Sequence, residues 1–445
     1  MKIAISRKVM MEALTKGGAA ALSDEAQADN CTLSLLIKSV KLTADKSITI
    51  ESGTNKIYVK HTISINEESG IKVTEPGCVV VPAKEFMNFL SVQGEDAVIG
   101  LTFKKFATPE AISVPSGTLA DSDVNPDGDK DKEKKIELKK VGQLVLRSKN
   151  SANSSETSGK WELDCYEEDR FTPVNFSADK EKHFEISGVK MIEALNSVIF
   201  AAMAKDYDHV LDSTSIQVYK DELYFVTTDS SRCAVYKFPK ADVKEIASTR
   251  QLLIPCSLLE QVSKIIDPED SLVFSYSEGI NRVFISQSHI KIRLACTDKD
   301  KIIGFPSLEK LLTKKYRKLA ELSKYTLNEL LIQAALVNNS SALFTFNKDN
   351  GSIIVKAISE EGKYKPVHKQ ASVEGLSESI SLVWAVNKLI EGMKAIKSDK
   401  IKMAIPDNLK SVRITELDND NFTYFCMALD NPRYQIDATP APDAS

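Results

Sequence analysis

Hydrophobic and polar positions follow a motif that occurs three times along the chain. Each copy has an apolar residue, a serine, and then apolar residues at the fourth and eighth places after the serine, with a glutamate between them. Serine is a favoured helix N-cap, and apolar residues four places apart share one helix face. The copies lie at 5–14, 186–195 and 322–331. The motif predicts three similar helices with three buried pairs: Met10 with Leu14, Met191 with Leu195, and Leu327 with Leu331.

A second motif repeats in step with the first and predicts a second helix in each copy. An apolar strand leads directly into a helix at 79–86, 252–259 and 382–389. Pro82 and Pro255 are expected at the first helical position, where a missing N–H costs nothing. Each of these helices is followed by an acidic residue and another strand. The pattern therefore predicts an α+β chain built from three copies of a unit with two helices.

The spacing of the motifs predicts the domain boundaries. The interval from Pro82 to Ile186 is much longer than that from Pro255 to Leu322, so the first copy carries an insertion. Residues 108–135 are rich in charge, Pro and Gly and are nearly devoid of large apolar side chains, which predicts a disordered surface loop. The expected parts are domain I at 1–180, domain II at 181–313, domain III at 314–431 and a flexible tail at 432–445. The first helix is expected over 7–20.

Composition and motifs give no sign of an enzyme or a membrane protein. The chain has 445 residues, 58 Lys and Arg against 62 Asp and Glu, and a net charge of −4. No apolar run reaches membrane-spanning length, and seven cysteines without a CxxC pair predict a reducing, cytoplasmic setting. No phosphate-binding loop, dinucleotide fingerprint, zinc-protease motif or nucleophile elbow occurs. We therefore predict no catalytic residue, no metal and no cofactor.

At 223–236 a predicted strand leads into a turn that carries Thr228, Asp229, Arg232 and Ala234. With this stretch as its most specific part, nearly the whole chain resembles the bacterial sliding clamp, the beta subunit of DNA polymerase III. That family has a strand followed by Thr-Asp-Gly-His-Arg-Leu-Ala at this place. Weaker similarities lie at 81–86, 305–306 and 424–429. The departures from the pattern indicate a distant member, for which a viral origin is one interpretation. The matching residues are Thr228, Asp229, Arg232 and Ala234, and the departures are Ser230, Ser231 and Cys233.

The resemblance implies a ring of two chains joined head to tail, in which three domains per chain carry two helices each on antiparallel sheets. A chain with two unlike ends must also close into a ring or polymerise. Such a ring encircles double-stranded DNA without sequence preference and tethers a DNA polymerase, with a clamp loader as a further partner. Positive charge facing the pore attracts phosphates without reading bases. The candidate DNA-binding residues lie on or just after the repeated helices: Arg7, Lys8, Lys16, Lys84, Lys190, Lys205, Lys264, Lys324, Lys388, Lys394 and Lys397.

The same resemblance implies an apolar cleft between the second and third domains that binds short peptides of polymerases and loaders. Here Ser230 and Ser231 replace Gly-His, Ala428 replaces the usual Pro, and the chain continues past the point where the family normally ends. We therefore expect non-standard peptide binding, with the tail flanking or partly covering the cleft. Its expected lining is Leu211, Thr228, Arg232, Cys233, Pro306, Leu311, Met427, Ala428 and Leu429.

Other functions stay open on the sequence alone. A clamp-like ring could mainly recruit transcription or repair factors to DNA, and three repeats could also build an enzyme or a virion scaffold without a DNA role. The missing catalytic constellation argues against the enzyme, and the helix-face lysines argue against a simple scaffold. Glu12, Glu193 and Glu329 share one position of the repeat. They would place negative charge near DNA unless each pairs with a neighbouring group.

Overall fold

The protein is described by a computed structural model. It describes residues 1–22, 39–66, 69–114, 136–149, 160–168, 174, 176, 181–203, 210–246, 250–297, 304–359, 367–373, 376–430 and 434. Lys205 lies outside these ranges, as does 115–135 of the predicted insertion. No helix within them is both long and apolar enough to cross a membrane.

The helices of the described residues include two for each repeat, as predicted. There are also two short helices: α2 directly follows α1, and α6 precedes the third repeat. The bounds are α1 Arg7–Gly17, α2 Ala19–Leu22, α3 Ala83–Ser91, α4 Gly188–Val198, α5 Cys256–Ile265, α6 Leu308–Thr313, α7 Lys324–Ala335 and α8 Val386–Ala395.

The strands account for most of the remaining described residues and pair antiparallel throughout. Their bounds are β1 Lys2–Ser6, β2 Ser39–Ala44, β3 Ser47–Gly53, β4 Ile57–Ser64, β5 Lys72–Glu75, β6 Gly77–Pro82, β7 Val98–Val114, β8 Ile136–Lys149, β9 Lys160–Tyr166, β10 Glu181–Ser187, β11 Ser213–Tyr219, β12 Glu222–Thr228, β13 Arg232–Lys237, β14 Leu252–Pro255, β15 Ser271–Ser277, β16 Arg282–Ser286, β17 Ile290–Ala295, β18 Arg317–Ser323, β19 Ala342–Asn347, β20 Ser352–Ala357, β21 Val367–Ser372, β22 Ile380–Trp384, β23 Lys400–Ile405, β24 Ser411–Glu416 and β25 Phe422–Met427.

The first motif forms the three helices α1, α4 and α7, each directly after a strand. The Ser6 hydroxyl accepts a hydrogen bond from the Val9 N–H at 3.3 Å, and the Ser323 hydroxyl accepts one from the Tyr325 N–H at 3.1 Å. These are the predicted N-caps. Helix α1 ends at Gly17, three residues earlier than expected. All six residues of the three predicted apolar pairs are fully buried, which confirms the assignment of the inner face.

The second motif forms α3, α5 and α8, but its prolines lie one position earlier than predicted. Pro82 ends β6 and is the N-cap of α3, with an extended ψ of 121°. Pro255 likewise ends β14, and α5 begins at Cys256. Proline fixes φ but leaves ψ free to stay extended, so the ring also suits the last residue of a strand. Ala385 is the corresponding N-cap of α8.

The first of two compact units contains residues 1–188 and 260–295. Its strands form one sheet in the order β10-β15-β16-β17-β4-β3-β2-β6-β9-β8-β7-β1-β5. Strand β17, which ends the second repeat, pairs with β4 of the first repeat, with Ile292 opposite Val59. Helices α1 and α3 contact each other and cover the main apolar core of the first repeat.

The second compact unit contains residues 189–259 and 296 onward. One sheet has the order β14-β11-β12-β13-β25-β24-β23-β18, and the other has the order β21-β20-β19-β22. Strand β25, which ends the third repeat, pairs with β13 of the second repeat, with Tyr424 opposite Ala234. Each unit thus joins strands of successive repeats in one sheet. The boundaries of the three domains stay a prediction.

Two segments differ from their predicted state. Strand β7 continues to Val114 and pairs with β8 from Ile136, so the predicted loop starts later than residue 108. In the predicted tail, Tyr434 is buried, and its hydroxyl donates to the Ser341 carbonyl at 2.9 Å. The same hydroxyl accepts from the Ile358 N–H at 3.2 Å. The prediction of a flexible tail is therefore wrong at Tyr434, because a buried aromatic ring and two hydrogen bonds hold it.

Candidate functional site

Some of the candidate DNA-binding lysines reach solvent without an ionic partner among the described residues. Lys8 on α1, Lys84 on α3 and Lys264 on α5 are exposed and belong to the first unit. Lys394 on α8 is exposed in the second unit. An ammonium group on a flexible stem of this kind can meet a phosphate without first breaking an ion pair.

The other described candidates are engaged within the protein. In the first unit, the Arg7 Nε donates to the Leu90 carbonyl at 3.0 Å, and the Lys16 Nζ lies 2.8 Å from Glu12 and 3.9 Å from Asp267. These contacts hold the side chains near the helix ends. The remaining engaged residues belong to the second unit: Lys190, Lys324, Lys388 and Lys397.

The three repeated glutamates have different partners. Glu12 pairs with Lys16 one turn along α1, and this hydrogen bond is the main reason that its pKa is lowered. Burial opposes the ionisation of Glu193, but Lys397 at 2.7 Å and Lys190 at 3.5 Å lower its pKa overall. Glu329 accepts a hydrogen bond from the Gln333 amide at 3.2 Å. Two of the three negative charges are therefore compensated by lysines of the same unit.

The turn between β12 and β13 carries the residues that resemble the clamp motif. The Asp229 carboxylate accepts from the N–H groups of Ser231 and Arg232 at 2.9 and 3.0 Å, so it shapes the turn itself. Burial would raise the pKa of Asp229, but hydrogen bonds from Ser231 and Lys388 lower it overall. Ser230, where the family pattern has Gly, adopts a φ of 73°. This left-handed conformation favours Gly, so the substitution stores strain in the turn.

Ion pairs connect the β12–β13 turn to helix α8. The Arg232 side chain is 10% exposed and bonds to Glu391 on α8 and to Asp229, with its guanidinium 5.6 Å from the ring centre of Phe200. The Lys388 Nζ lies 3.1 Å from Asp229 and also contacts the Ser231 hydroxyl. Two of the predicted site residues, one from the DNA set and one from the cleft set, therefore belong to one network.

Apolar members of the predicted cleft lie together in the second unit. Leu211 and Cys233 are buried in a cluster with Phe305 and Phe425, against which the half-buried Leu311 packs. Thr228 is 3% exposed beside this cluster, and its hydroxyl bonds to the Arg232 carbonyl. The cluster shares no residue with the core that α1 and α3 cover in the first repeat.

The remaining predicted cleft residues lie toward solvent. Pro306 is exposed, and Met427, the last residue of β25, is 39% exposed. The Met427 N–H donates to the Ser231 carbonyl at 2.8 Å, which places the end of β25 against the turn. Ala428 and Leu429 continue along β22, where the Leu429 N–H donates to the Val383 carbonyl at 2.8 Å. The structure therefore brings the strand end and the clamp-like turn together.

Sequence reasoning missed two side chains at this place. Tyr316 packs on the apolar cluster with its ring centre 5.8 Å from that of Phe425. The Arg413 guanidinium lies 4.7 Å from the centre of the Tyr316 ring. The basic run at 314–318 was the only sequence signal for Tyr316. Nothing in the sequence pairs it with Arg413, which lies on a distant strand.

The fold and the turn find matches among known proteins. Residues 185–297 match the family model of the DNA polymerase III beta subunit, central domain, and 309–430 match that of its C-terminal domain. A beta sliding clamp of Pseudomonas putida is 21% identical over 54% of this chain and 63% of its own length. The chain thus spans less than two thirds of that relative in sequence. A beta sliding clamp of Synechocystis is 20% identical over 86% of this chain and 90% of its own length.

Solved structures show the same architecture. The DNA polymerase beta subunit of Streptococcus pyogenes superposes with a TM-score of 0.75 at 15% identity, covering 97% of this chain and 100% of the other. A sliding clamp of Pseudomonas aeruginosa bound to griselimycin gives the same values. The class defined here is an α+β protein with the DNA-clamp fold. Because the two family models together cover more than half of the chain, it belongs to the DNA polymerase III beta subunit family, as a divergent member.

Proposed function

We propose that the chain is a DNA sliding clamp, in which two copies joined head to tail encircle duplex DNA and tether a replicative DNA polymerase as a processivity factor. The ring has no catalytic role, is placed on DNA by a clamp loader and works in the cytoplasm. Its domains are the three repeats, with boundaries near 180 and 313. Family membership and the antiparallel clamp fold support this proposal.

The observation that carries the proposal is a junction that occurs twice in one chain. The last strand of the second repeat, β17, pairs with β4, and the last strand of the third repeat, β25, pairs with β13. By the same rule, β9 of the first repeat requires the strand equivalent to β4 and β13, which is β21 of the third repeat. Strand β21 is at the edge of its sheet among the described residues. Strand β9 pairs with β8 along its length but meets β6 only at Tyr166, opposite Val80, so the rest of that side is unpaired among the described residues. Pairing between this side of β9 in one copy and β21 of another would cover both.

An apolar stripe lies beside this edge. Helix α7 contacts β21 and exposes Tyr325, Ile332 and Leu336 on one face, with Ile332 49% and Leu336 78% exposed. An exposed apolar face of this kind is typical of an interface. We propose that the second copy covers the stripe when the strands pair. Head-to-tail contacts at both ends then close a ring of two chains.

Phosphate contacts in this ring come first from the lysines without an ionic partner in the described part of the chain: Lys8, Lys84, Lys264 and Lys394. The engaged residues Arg7, Lys16, Lys190, Lys324, Lys388 and Lys397 contribute a more distant positive field. Contacts to phosphates without base reading allow the ring to slide. The cleft of Leu211, Cys233, Leu311 and their neighbours anchors apolar side chains of partner peptides.

Topological retention tests the clamp function without a loader. The protein is incubated with a linear duplex carrying biotin at both ends, and streptavidin is then added to block the ends. We expect the protein to stay with the doubly blocked DNA in high salt, and to be lost after a restriction enzyme cuts the middle. DNA with one blocked end is the control. Retention that survives the cut would contradict encirclement and favour an ordinary DNA-binding scaffold.

The apolar stripe of Tyr325, Ile332 and Leu336 gives a second test of the proposed ring. We expect the purified protein to have a mass of twice 49.1 kDa by light scattering. The double variant Ile332→Ser/Leu336→Ser should weaken dimerisation roughly a hundredfold, because two apolar side chains lose their burial. Ile280→Ser, at a side chain 50% exposed in the first unit, is the matched control and should leave the dimer intact. An unchanged dimer in the double variant would exclude this face as the junction.

A further inference from the structure

The apolar cleft is bordered by a cationic and aromatic site that we define as the Tyr316 site. It consists of Tyr316, Arg413 and Lys314. The Tyr316 ring lies 4.7 Å from the Arg413 guanidinium and 5.7 Å from the Lys314 ammonium, measured to the ring centre. Phe425 forms its floor at 5.8 Å. Because Phe425 belongs to the apolar cluster of Leu211 and Cys233, the site continues directly from the cleft.

Arg413 has no anionic partner in the described part of the chain. Its Nε is buried and makes no hydrogen bond, and no carboxylate lies within ion-pair distance of the guanidinium. A partly buried guanidinium without an acceptor is costly. Its planar fork fits a carboxylate in particular. A bound ligand can therefore supply the acceptor that Arg413 lacks among the described residues.

The charges around the site favour an anionic ligand. Lys310, Lys314, Lys315 and Lys410 are exposed near it, and the Lys410 carbonyl accepts from the Ala428 N–H at 2.9 Å at the strand end. The acids nearby are mostly occupied. Glu378 and Asp407 bond to Arg317 at 2.7 and 2.8 Å, while Glu391 and Asp229 bond to Arg232. Among the described residues, Glu309 on α6 and Asp430, directly after Leu429, are exposed acids near the site.

We infer that the cleft binds an extended acidic peptide, which places an apolar side chain on the Leu211 cluster and an adjacent carboxylate on Arg413 over the Tyr316 ring. This inference rests on the proposed peptide cleft and adds the chemistry of its ligand. Apolar burial next to the charge favours a peptide over nucleic acid, because a phosphate backbone offers nothing to the aliphatic wall. Tyr316, Arg413 and Lys314 are then the residues that determine specificity.

Two labelled peptides with one Leu-Phe anchor test the inference by fluorescence anisotropy on the full chain. One peptide has Asp and Glu on both sides of the anchor, and the other has Ser and Asn. We expect the acidic peptide to bind roughly fivefold more tightly at low salt, since exposed charge pairs contribute modestly. The difference should shrink as salt is raised.

The double variant Arg413→Gln/Lys314→Gln should abolish this preference and leave the affinity for the neutral peptide within about twofold, which also shows that the variant is folded. Lys240→Gln/Lys348→Gln removes two exposed charges elsewhere in the same unit and should retain the preference. Equal affinity of the unaltered protein for both peptides would overturn the acidic ligand and leave the cleft. Binding of neither peptide would overturn both proposals. Displacement of the acidic peptide by a single-stranded oligonucleotide, lost in the Arg413 variant, would reassign the site to nucleic acid.

Discussion

Most of the exposed helix lysines without an ionic partner among the described residues belong to the first compact unit, and most of the paired ones belong to the second. Lys394 in the second unit and Lys16 in the first are the exceptions. In the first unit, Lys8, Lys84 and Lys264 are exposed and have no ionic partner in the described residues. In the second, Lys190 lies 3.3 Å from Asp242 and Lys388 lies 3.1 Å from Asp229, so these charges stabilise the unit itself. A repeated helix therefore does not imply a repeated role for its side chains. The acidic residues around each lysine decide whether its charge is paired within the protein.

The largest expected effect separates the two sets of lysines. The triple variant Lys8→Gln/Lys84→Gln/Lys264→Gln should lower the salt slope of DNA binding by up to about 3, because each lost phosphate contact removes about 0.9. The matched triple variant Lys190→Gln/Lys324→Gln/Lys388→Gln should change the slope by less than about 1. The measurement is the DNA dissociation constant against salt concentration. Equal slopes for the two variants would remove the distinction between the units.

Lowering the pH should destabilise the first unit more than the second, because His61 is buried in the first unit. Burial first, and Lys16 second, lower the pKa of His61 to about 4 from its ordinary value of 6.5. Since the unfolded chain binds the proton more readily, stability present at neutral pH is lost as the pH falls from about 6.5 to about 4, by roughly 3 kcal/mol. His61→Gln should remove most of this pH dependence.

The two tryptophans allow this effect to be measured in each unit. Trp161 lies in the first unit and Trp384 in the second, so single-tryptophan variants report on one unit each. We expect urea unfolding at pH 7 and at pH 4.5 to differ more at Trp161 than at Trp384. A loss of equal size at both, persisting in His61→Gln, would assign the acid sensitivity to other groups.

The smallest expected effect concerns two glutamates at one position of the repeat. Glu193 is 19% exposed between Lys190 and Lys397, whereas Glu12 is 59% exposed beside Lys16. Glu193→Ala should therefore destabilise the second unit by roughly 1 kcal/mol, against about 0.3 kcal/mol for Glu12→Ala in the first. Urea unfolding followed at the tryptophan of the same unit measures each loss. A larger loss of stability for Glu12→Ala than for Glu193→Ala would show that the more exposed glutamate is the more stabilising one, and would contradict this prediction.

Short-range features of the fold could be predicted because they depend on neighbouring residues. The N-caps Ser6 and Ser323 and the apolar pairs such as Met10 with Leu14 follow from helix periodicity and a local hydrogen bond. The prolines were placed one residue too late, because a fixed φ suits both a strand end and a helix start. The apolar residues of the cleft came from the family resemblance. Their assignment as a peptide site stays a proposal.

Long-range pairing could not be read from the sequence. Arg232 meets Glu391 because β13 and β25 join one sheet and α8 packs beside it. Arg413 on β24 meets Tyr316, which precedes β18, because both strands pair with β23. Gly392 permits the close packing of α8 on β25, since a Cβ at that position would clash with the Tyr424 ring. Residues so far apart in the chain share no sequence pattern that would predict their contact.

The sequence by itself therefore determined the three repeats, the two helices of each and the faces that they bury, since these depend on local periodicity. Only the tertiary structure decided which lysines are paired, where strands of successive repeats join and which charge lacks a partner. These outcomes depend on residues that sheet pairing and helix packing bring together, both within and between repeats. They concern the two properties by which a clamp would act, the charge offered to DNA and the chemistry offered to a partner peptide.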